Sequence, residues 1–205
     1  MVRKIPSRAD GKERHLKVSK RQTAANRARI VNEAAKMIRQ RGIAGSGVDA
    51  LAGAAGLTHG SLYSLFGSKD HLAAEALAHA IDASGGKLAR YATLAAYVND
   101  YLSKAHKDRV GDGCPLAALA SEMPRESVPS RDAFTSGVKA MADRLRRLVA
   151  DRPNPKTEAL AIAATLVGGL ILARGVNDPE LSDRILAASR ATLLRTAGGG
   201  RKAKQ

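Results

Sequence analysis

Two short apolar segments that flank a glycine, at residues 48–55 and 58–66, constrain this chain more than any other feature. In the first, Val48, Leu51, Ala52 and Ala55 recur at i, i+3, i+4 and i+7 and so share one face of a helix. Gly56 then supplies a residue free to turn the chain, and Thr58 has the hydroxyl that caps a following helix, which runs to Phe66 with Leu62, Leu65 and Phe66 inward. Helices this short do not hold in water alone, so a third element must support them. It is supplied upstream by residues 20–41, where Ile30, Ala34, Met37 and Ile38 line one face and Gly42 provides the stop. A supporting helix, then helix, turn and helix, is the helix-turn-helix arrangement, whose last helix is sized for the major groove of DNA.

That reading makes the small and polar residues at the start of the last helix the candidate DNA-contacting set. Thr58, His59, Gly60 and Ser61 let the helix end come close to base edges and phosphates, and Tyr63 and Lys69 reach for the backbone. Ser68 caps a fourth helix beginning at Lys69, whose positive end adds to the attraction for phosphate. The charge of the chain agrees with a polyanionic partner. Its net charge is +15, and residues 1–41 hold 13 Lys and Arg against Asp10, Glu13 and Glu33, two thirds of the whole excess. Residues 1–19 read as a flexible basic arm that adds contacts to phosphate or the minor groove, with a solvated, disordered tail as the alternative, and residues 198–205 read as a second flexible basic tail.

The remaining chain also has helical spacing and little strand-like alternation, which predicts an all-α protein. Phe134, Val138, Met141, Leu145 and Leu148 form a stripe on one helix that the 151–155 segment, with Pro153 and Pro155, brings to a stop. A helix over about 156–174 is apolar on nearly every side, and a last one over about 179–196 carries Leu181, Ile185, Ala188, Leu193 and Leu194. The uncharged run 159–173 is shorter than the roughly 20 residues that cross a bilayer and holds Gly168 and Gly169, so no membrane span is expected. The single cysteine, Cys114, has no disulfide partner within the chain, and the first residues do not resemble a secretory signal, which points to the cytoplasm.

The run Ala-Gly-Leu-Thr-His-Gly-Ser-Leu-Tyr-Ser-Leu-Phe-Gly-Ser-Lys-Asp-His-Leu, residues 55–72, with residues 42–52 upstream, resembles the TetR family of bacterial transcriptional regulators. The tyrosine-x-x-phenylalanine-x-serine-lysine core is its most distinctive part. Leu65 stands where that family often has histidine. Gly47 stands where it often has a hydroxyl residue that starts the second helix, which leaves Ser46 as the substitute cap and a further candidate at the DNA interface. The resemblance implies an N-terminal three-helix DNA-binding domain at 20–67 and a C-terminal helical ligand-binding and dimerisation domain at 68–197. It further implies that the last two long helices pair with their twins in a homodimer, with Gly168 and Gly169 allowing close approach. Burial within one subunit is the alternative for those helices. A two-fold dimer suits a palindromic operator in double-stranded DNA, with half-sites about one helical turn, roughly 34–36 Å, or a modest multiple of it apart.

Cys114 follows a Gly-Asp-Gly turn and precedes a short helix over about 115–123, where a helix N-terminus favours a thiolate. The segment resembles the glycine-cysteine stretch of the electrophile- and oxidant-sensing TetR subgroup, typified by an N-ethylmaleimide-responsive repressor, which implies release from DNA on modification of Cys114. A buried apolar cysteine without chemistry is the alternative. Tyr97 and Tyr101, one turn apart, are candidates with Tyr91 for the wall of a small-molecule effector pocket or for the core.

Signatures of catalysis are missing from the sequence: there is no Gly-x-Ser-x-Gly turn, no complete phosphate loop around Gly85-Gly86-Lys87 and no Gly-x-Gly-x-x-Gly. His15, His59, His71, His79 and His106 share no metal-ligand spacing with Cys114, and no metal or cofactor is expected. The expectation is therefore a dimeric, sequence-specific regulator, a repressor rather than an enzyme. Its competitor is a protein that coats nucleic acid without reading sequence.

Overall fold

The computed structural model describes residues 8–54, 58–88 and 90–198, with side chains from residue 23 to residue 195. The Gly56 turn, the first seven residues and 199–205 lie outside the described residues. Among the described residues the fold is all-α, with no strand. The N-terminal part contains α1 (Arg8–Arg41), α2 (Val48–Ala54) and α3 (His59–Phe66). Then come α4 (Lys69–Leu88), α5 (Leu94–Tyr101), α6 (Lys104–Asp108) and α7 (Pro115–Leu119), and finally α8 (Val128–Leu148), α9 (Pro155–Gly175) and α10 (Pro179–Gly198). Short 3-10 turns at Val110–Asp112 and Met123–Arg125 bracket α7.

α1 begins at Arg8, not near residue 20, so the expected flexible arm over 1–19 is helical from Arg8 onward. Its Lys and Arg residues are good helix formers, and Pro6 lies just upstream, where a helix is readily interrupted. At the other end Gly42, with φ +77°, closes α1, its N–H donating to the Ile38 carbonyl at 2.9 Å. The side chain of Glu122 occupies the space a Cβ at residue 42 would need, and its Oε2 accepts the Ile43 N–H at 2.8 Å. Gly42 is thus required both by the backbone and by this long-range contact.

α4 is the central strut, packed against α1 on one side and α8 on the other. Its inward face is Leu72, Ala73, Ala76, Leu77 and Ala80, all buried, and each fully buried leucine contributes about 1.5–3 kcal/mol relative to exposure. Gly137 of α8 lets Ile81 of α4 fit where a side chain would collide. α9 lies between α8 and α10, with Ile162, Leu166 and Leu170 buried. At 21 residues, with a mean hydropathy of 1.5 over its most apolar stretch, α9 meets the length and composition of a bilayer span. This corrects the expectation of too short a run, because the helix extends past it to Pro155 and Gly175. Within the chain α9 packs on α6, α7, α8 and α10 and carries Lys156, Glu158 and Arg174 in its end turns, while one apolar side stays uncovered.

Candidate functional site

The helix-turn-helix is held from behind by one arginine that spacing did not single out. Arg27 of α1 donates to the Leu65 carbonyl at 2.7 Å, pairs with Glu75 of α4, and lies 4.3 Å over the Phe66 ring. With Leu62 and Phe66 buried and Leu65 half-buried, these contacts fix the end of α3 against α1 and α4. Gly67, with φ +75°, then turns the chain, its N–H donating to the Tyr63 carbonyl at 2.8 Å. Ser68 Oγ accepts the His71 N–H at 3.1 Å and caps α4, as the spacing predicts.

The outer face of α3 carries most of the candidate contacts. Thr58, in extended backbone geometry, caps the helix by accepting the Ser61 N–H at 3.3 Å, and the two hydroxyls lie 2.8 Å apart. His59 stacks on Tyr63 with ring centroids 5.1 Å apart, and its Nδ1 lies 2.7 Å from Asp49 Oδ1 on α2. Tyr63 is exposed, and Lys69 is half-exposed at the start of α4. A Cβ at Gly60 would meet nothing within 4 Å, so this is open surface that a nucleic-acid backbone can approach closely. Ser46 does not belong to this face. Its side chain is fully buried and donates to the Gly42 carbonyl at 2.6 Å, closing the turn after α1 and not capping α2. A cap would accept an N–H ahead of it, whereas the Ser46 hydroxyl donates to a carbonyl behind it.

Cys114, Tyr97 and Tyr101, distant in sequence, line one cavity of about 300 Å³, together with Tyr91 and His106. Thr93 caps α5 by accepting the Ala96 N–H, which sets Tyr97 and Tyr101 one turn apart on its buried face. The tyrosine rings meet at centroid distances of 5.3 Å (Tyr91 to Tyr97) and 5.5 Å (Tyr97 to Tyr101). Tyr91 donates to Asp100 at 2.6 Å, and that bond pushes its hydroxyl up to about 12. A small annex of about 30 Å³ shares Ser84, Leu88, Tyr97 and Cys114 with the cavity wall and is bounded by Ile81, Leu116, Met141 and Arg144. The Arg144 guanidinium reaches it across Gly85, which explains that glycine, whereas a Cβ at Gly86 would meet nothing within 4 Å.

His106, absent from the sequence candidates, organises the cysteine. Its Nε2 accepts the Cys114 N–H at 3.0 Å, so its Nδ1 carries the proton and donates to the Tyr101 carbonyl at 2.6 Å. Burial lowers its pKa, consistent with this neutral form. Arg174 of α9 secures the same segment, donating to the carbonyls of Lys107 at 3.0 Å and His106 at 2.8 Å. The Cys114 side chain is buried, and α7, which it precedes, is only five residues long, so the dipole expected to act on the thiol is that of a single turn.

The segment that lines the cavity at Arg109, Asp112, Gly113 and Cys114 is held at Gly111 by α1. Arg39 of α1 donates to the Gly111 carbonyl, and Gln40 packs where a Cβ at Gly111 would sit. Lys87 of α4 donates to the Asp112 carbonyl at 3.1 Å from the opposite side. Neither link was readable from spacing, since residues 39 and 111 lie far apart in the chain. A hint existed in the glycines at 111 and 113, which leave room for Gln40 and for Arg174 with His106.

α9 and α10 expose apolar surface. Leu160 is 54% and Leu172 is 59% exposed, with Ala161 and Ala164 on the same side, and a Cβ at Gly168 would meet nothing within 4 Å. Gly169 faces the other way, against Ser189 of α10. On α10 the buried face is Ser182, Leu186 and Leu193, whereas Leu181 and Ala188 are exposed.

Two family models match the chain: "Bacterial regulatory proteins, tetR family" at residues 30–76, and "Transcriptional regulator LmrA/YxaF-like, C-terminal domain" at residues 91–185. No curated protein matches it. Among solved structures the chain is similar to the reduced form of Escherichia coli NemR, with 20% identity, a TM-score of 0.73, and 83% of this chain and 96% of that one covered. It is similar also to a TetR family regulator from Agrobacterium tumefaciens (19% identity, TM-score 0.71, 84% and 98% covered) and to one from Chloroflexus aurantiacus (20%, 0.70, 87% and 97%). At such identities these structures establish the shared fold. Together with the two matched models, which span the helix-turn-helix and the helical C-terminal region, they show that the chain belongs to the TetR family of DNA-binding transcriptional regulators.

Proposed function

We propose that the chain acts in the cytoplasm as a homodimeric repressor that binds a palindromic operator through α3 and leaves it when the cavity around Tyr97 and Tyr101 is filled. In this reading residues up to 67 form the DNA-binding unit and 68–197 the effector-binding and dimerisation unit. Thr58, His59, Gly60, Ser61, Tyr63 and Lys69 face the DNA. The observation that carries it is the Arg39 bond to Gly111: the backbone segment that lines the cavity at Arg109, Asp112, Gly113 and Cys114 is tied, at Gly111 within it, to the helix that supports α3. A ligand that moves that segment changes where α1 and α3 sit, so ligand and operator binding become antagonistic by linkage.

The exposed apolar side of α9, continued by Leu181 and Ala188 of α10, supports the pairing of two chains. Leu160→Glu with Leu172→Glu is expected to give monomers in sedimentation and to lose operator binding, with helix content kept. Monomers that still held the operator as tightly as the parent would contradict the dimer.

Modification of Cys114 is a second route to the same movement, supported by its position in the cavity wall. Addition of the thiol to an electrophilic alkene would form a carbon–sulfur bond and move the thiol proton to the adjacent carbon, leaving bulk where His106 and Tyr101 now pack. Cys114→Ser should then keep the operator in the presence of N-ethylmaleimide while the parent releases it. Equal release by both would remove this route.

A further inference from the structure

The cavity has features that select its occupant. Tyr101 lines the cavity and is 4% exposed, yet its hydroxyl, buried beside the Cys114 thiol, has no oxygen or nitrogen to bond to. Burial pushes that hydroxyl well above its ordinary range, with the neighbouring Cys114 thiol adding to the rise, so it keeps its proton and the polar group beside it is a thiol, a weak acceptor. A buried donor left unmade is costly, and a ligand that brings an acceptor recovers the loss. The other polar groups at hand do not serve. His106 Nε2 is taken by the Cys114 N–H, and Asp100 by Tyr91.

The charges around this donor are predominantly positive. Lys87, Arg90 and Arg109 line the cavity, and Arg144 lines its annex, against Asp100 and Asp112. The hydrogen bonds of Lys87 and Arg109 run to backbone carbonyls, which leaves their charges unneutralised. His106, held neutral by its two bonds, adds none. The remaining wall is aromatic and aliphatic, with Tyr91 edge to face against Tyr97 and Tyr97 tilted against Tyr101, and the annex beside Cys114 is bounded by Ile81, Leu116 and Met141.

We propose that the effector of this protein is an amphiphilic organic anion, a carboxylate on an aromatic or apolar body, whose oxygen accepts from Tyr101 and whose body lies along the tyrosine wall toward the annex. This rests on the regulator reading, because it names the ligand class of that same cavity. The cations draw in the carboxylate, the tyrosine orients it, and the apolar wall takes the rest.

The test is calorimetric binding of 2-naphthoate and 2-naphthamide to the full chain, two probes of like shape that differ in charge. Naphthoate should bind at least about tenfold more tightly. Arg90→Gln with Arg109→Gln should bring the two probes close together by weakening naphthoate alone. Tyr101→Phe should weaken naphthoate about fivefold to tenfold and at the same time raise the melting temperature of the free protein, since it deletes an unsatisfied hydroxyl without changing shape. A simple packing role for Tyr101 would not give both signs. No naphthoate binding at millimolar concentration, equal affinity for naphthamide, or an unchanged Tyr101→Phe affinity would overturn the proposal. Operator binding by the same preparations without probe is measured separately. Its loss would remove the regulator reading and leave the ligand result standing.

Discussion

The face of α3 and the cavity around Tyr101 are built in opposite ways. The α3 face comes from one continuous stretch, is solvent-exposed, and satisfies its own polar groups: Thr58 with Ser61, His59 with Asp49. The cavity is assembled from α4, α5, α6 and the segment before α7, and holds a buried hydroxyl with no oxygen or nitrogen partner. A face meant for DNA must be presented intact to solvent, whereas a cavity that responds to a ligand must be improved by filling. Two elements join them: α4, which lines the cavity and packs against α1, and the segment before α7, which lines the cavity at Asp112 and is held by Arg39 at Gly111.

The sharpest way to separate the two is Gly60→Glu. Nothing surrounds that position, so folding should change by no more than about 0.5 kcal/mol. A carboxylate set against phosphate should weaken operator binding about a hundredfold or more, read by fluorescence anisotropy. Undiminished affinity would take α3 out of the interface. Gly42→Ala strains a left-handed residue and displaces Glu122 from the Ile43 N–H, and about 2–3 kcal/mol of stability should be lost in urea unfolding.

Arg39→Ala strikes the link at Gly111. Free-state operator affinity should stay close to the parent's, while the factor by which ligand weakens operator binding falls about fivefold, on the order of 1 kcal/mol of coupling. An unchanged factor would mean that the coupling runs elsewhere. The smallest effect is in pH. Burial lowers the pKa of His106 in the folded state, so the unfolded chain binds the extra proton first. The stability from neutral His106 is complete above the unfolded value of about 6.5 and declines as pH falls below it toward the folded value. His106→Asn should flatten that part of the melting-temperature profile.

What was legible in the sequence follows the same division. Thr58, Gly42, Ser68 and the inward face at Leu62 and Phe66 act within a few residues of their own position, and spacing is enough to find them. Ser46 was misassigned because a hydroxyl beside a turn can bond backward or forward, and only the packed loop decides. The extent of α1 back to Arg8 was missed because a basic run is equally compatible with helix and with solvated coil. Tyr97, Tyr101 and Cys114 were visible as residue types, but that they share a cavity depends on how α5 packs, and His106 acquires meaning only from its two bonds. Gly168 and Gly169 read alike as neighbours, yet one faces solvent and the other α10.

The central claim is that α3 reads a palindromic sequence and does not merely coat DNA. The most direct measurement is selection of bound sequences from a random duplex pool by the full chain, followed by anisotropy titration of the enriched site against scrambled competitor. The account predicts an enriched palindrome with half-sites about one turn or a modest multiple of it apart, bound by two chains at least about a thousandfold more tightly than scrambled DNA. A pool without enrichment, bound as tightly after scrambling, would contradict it.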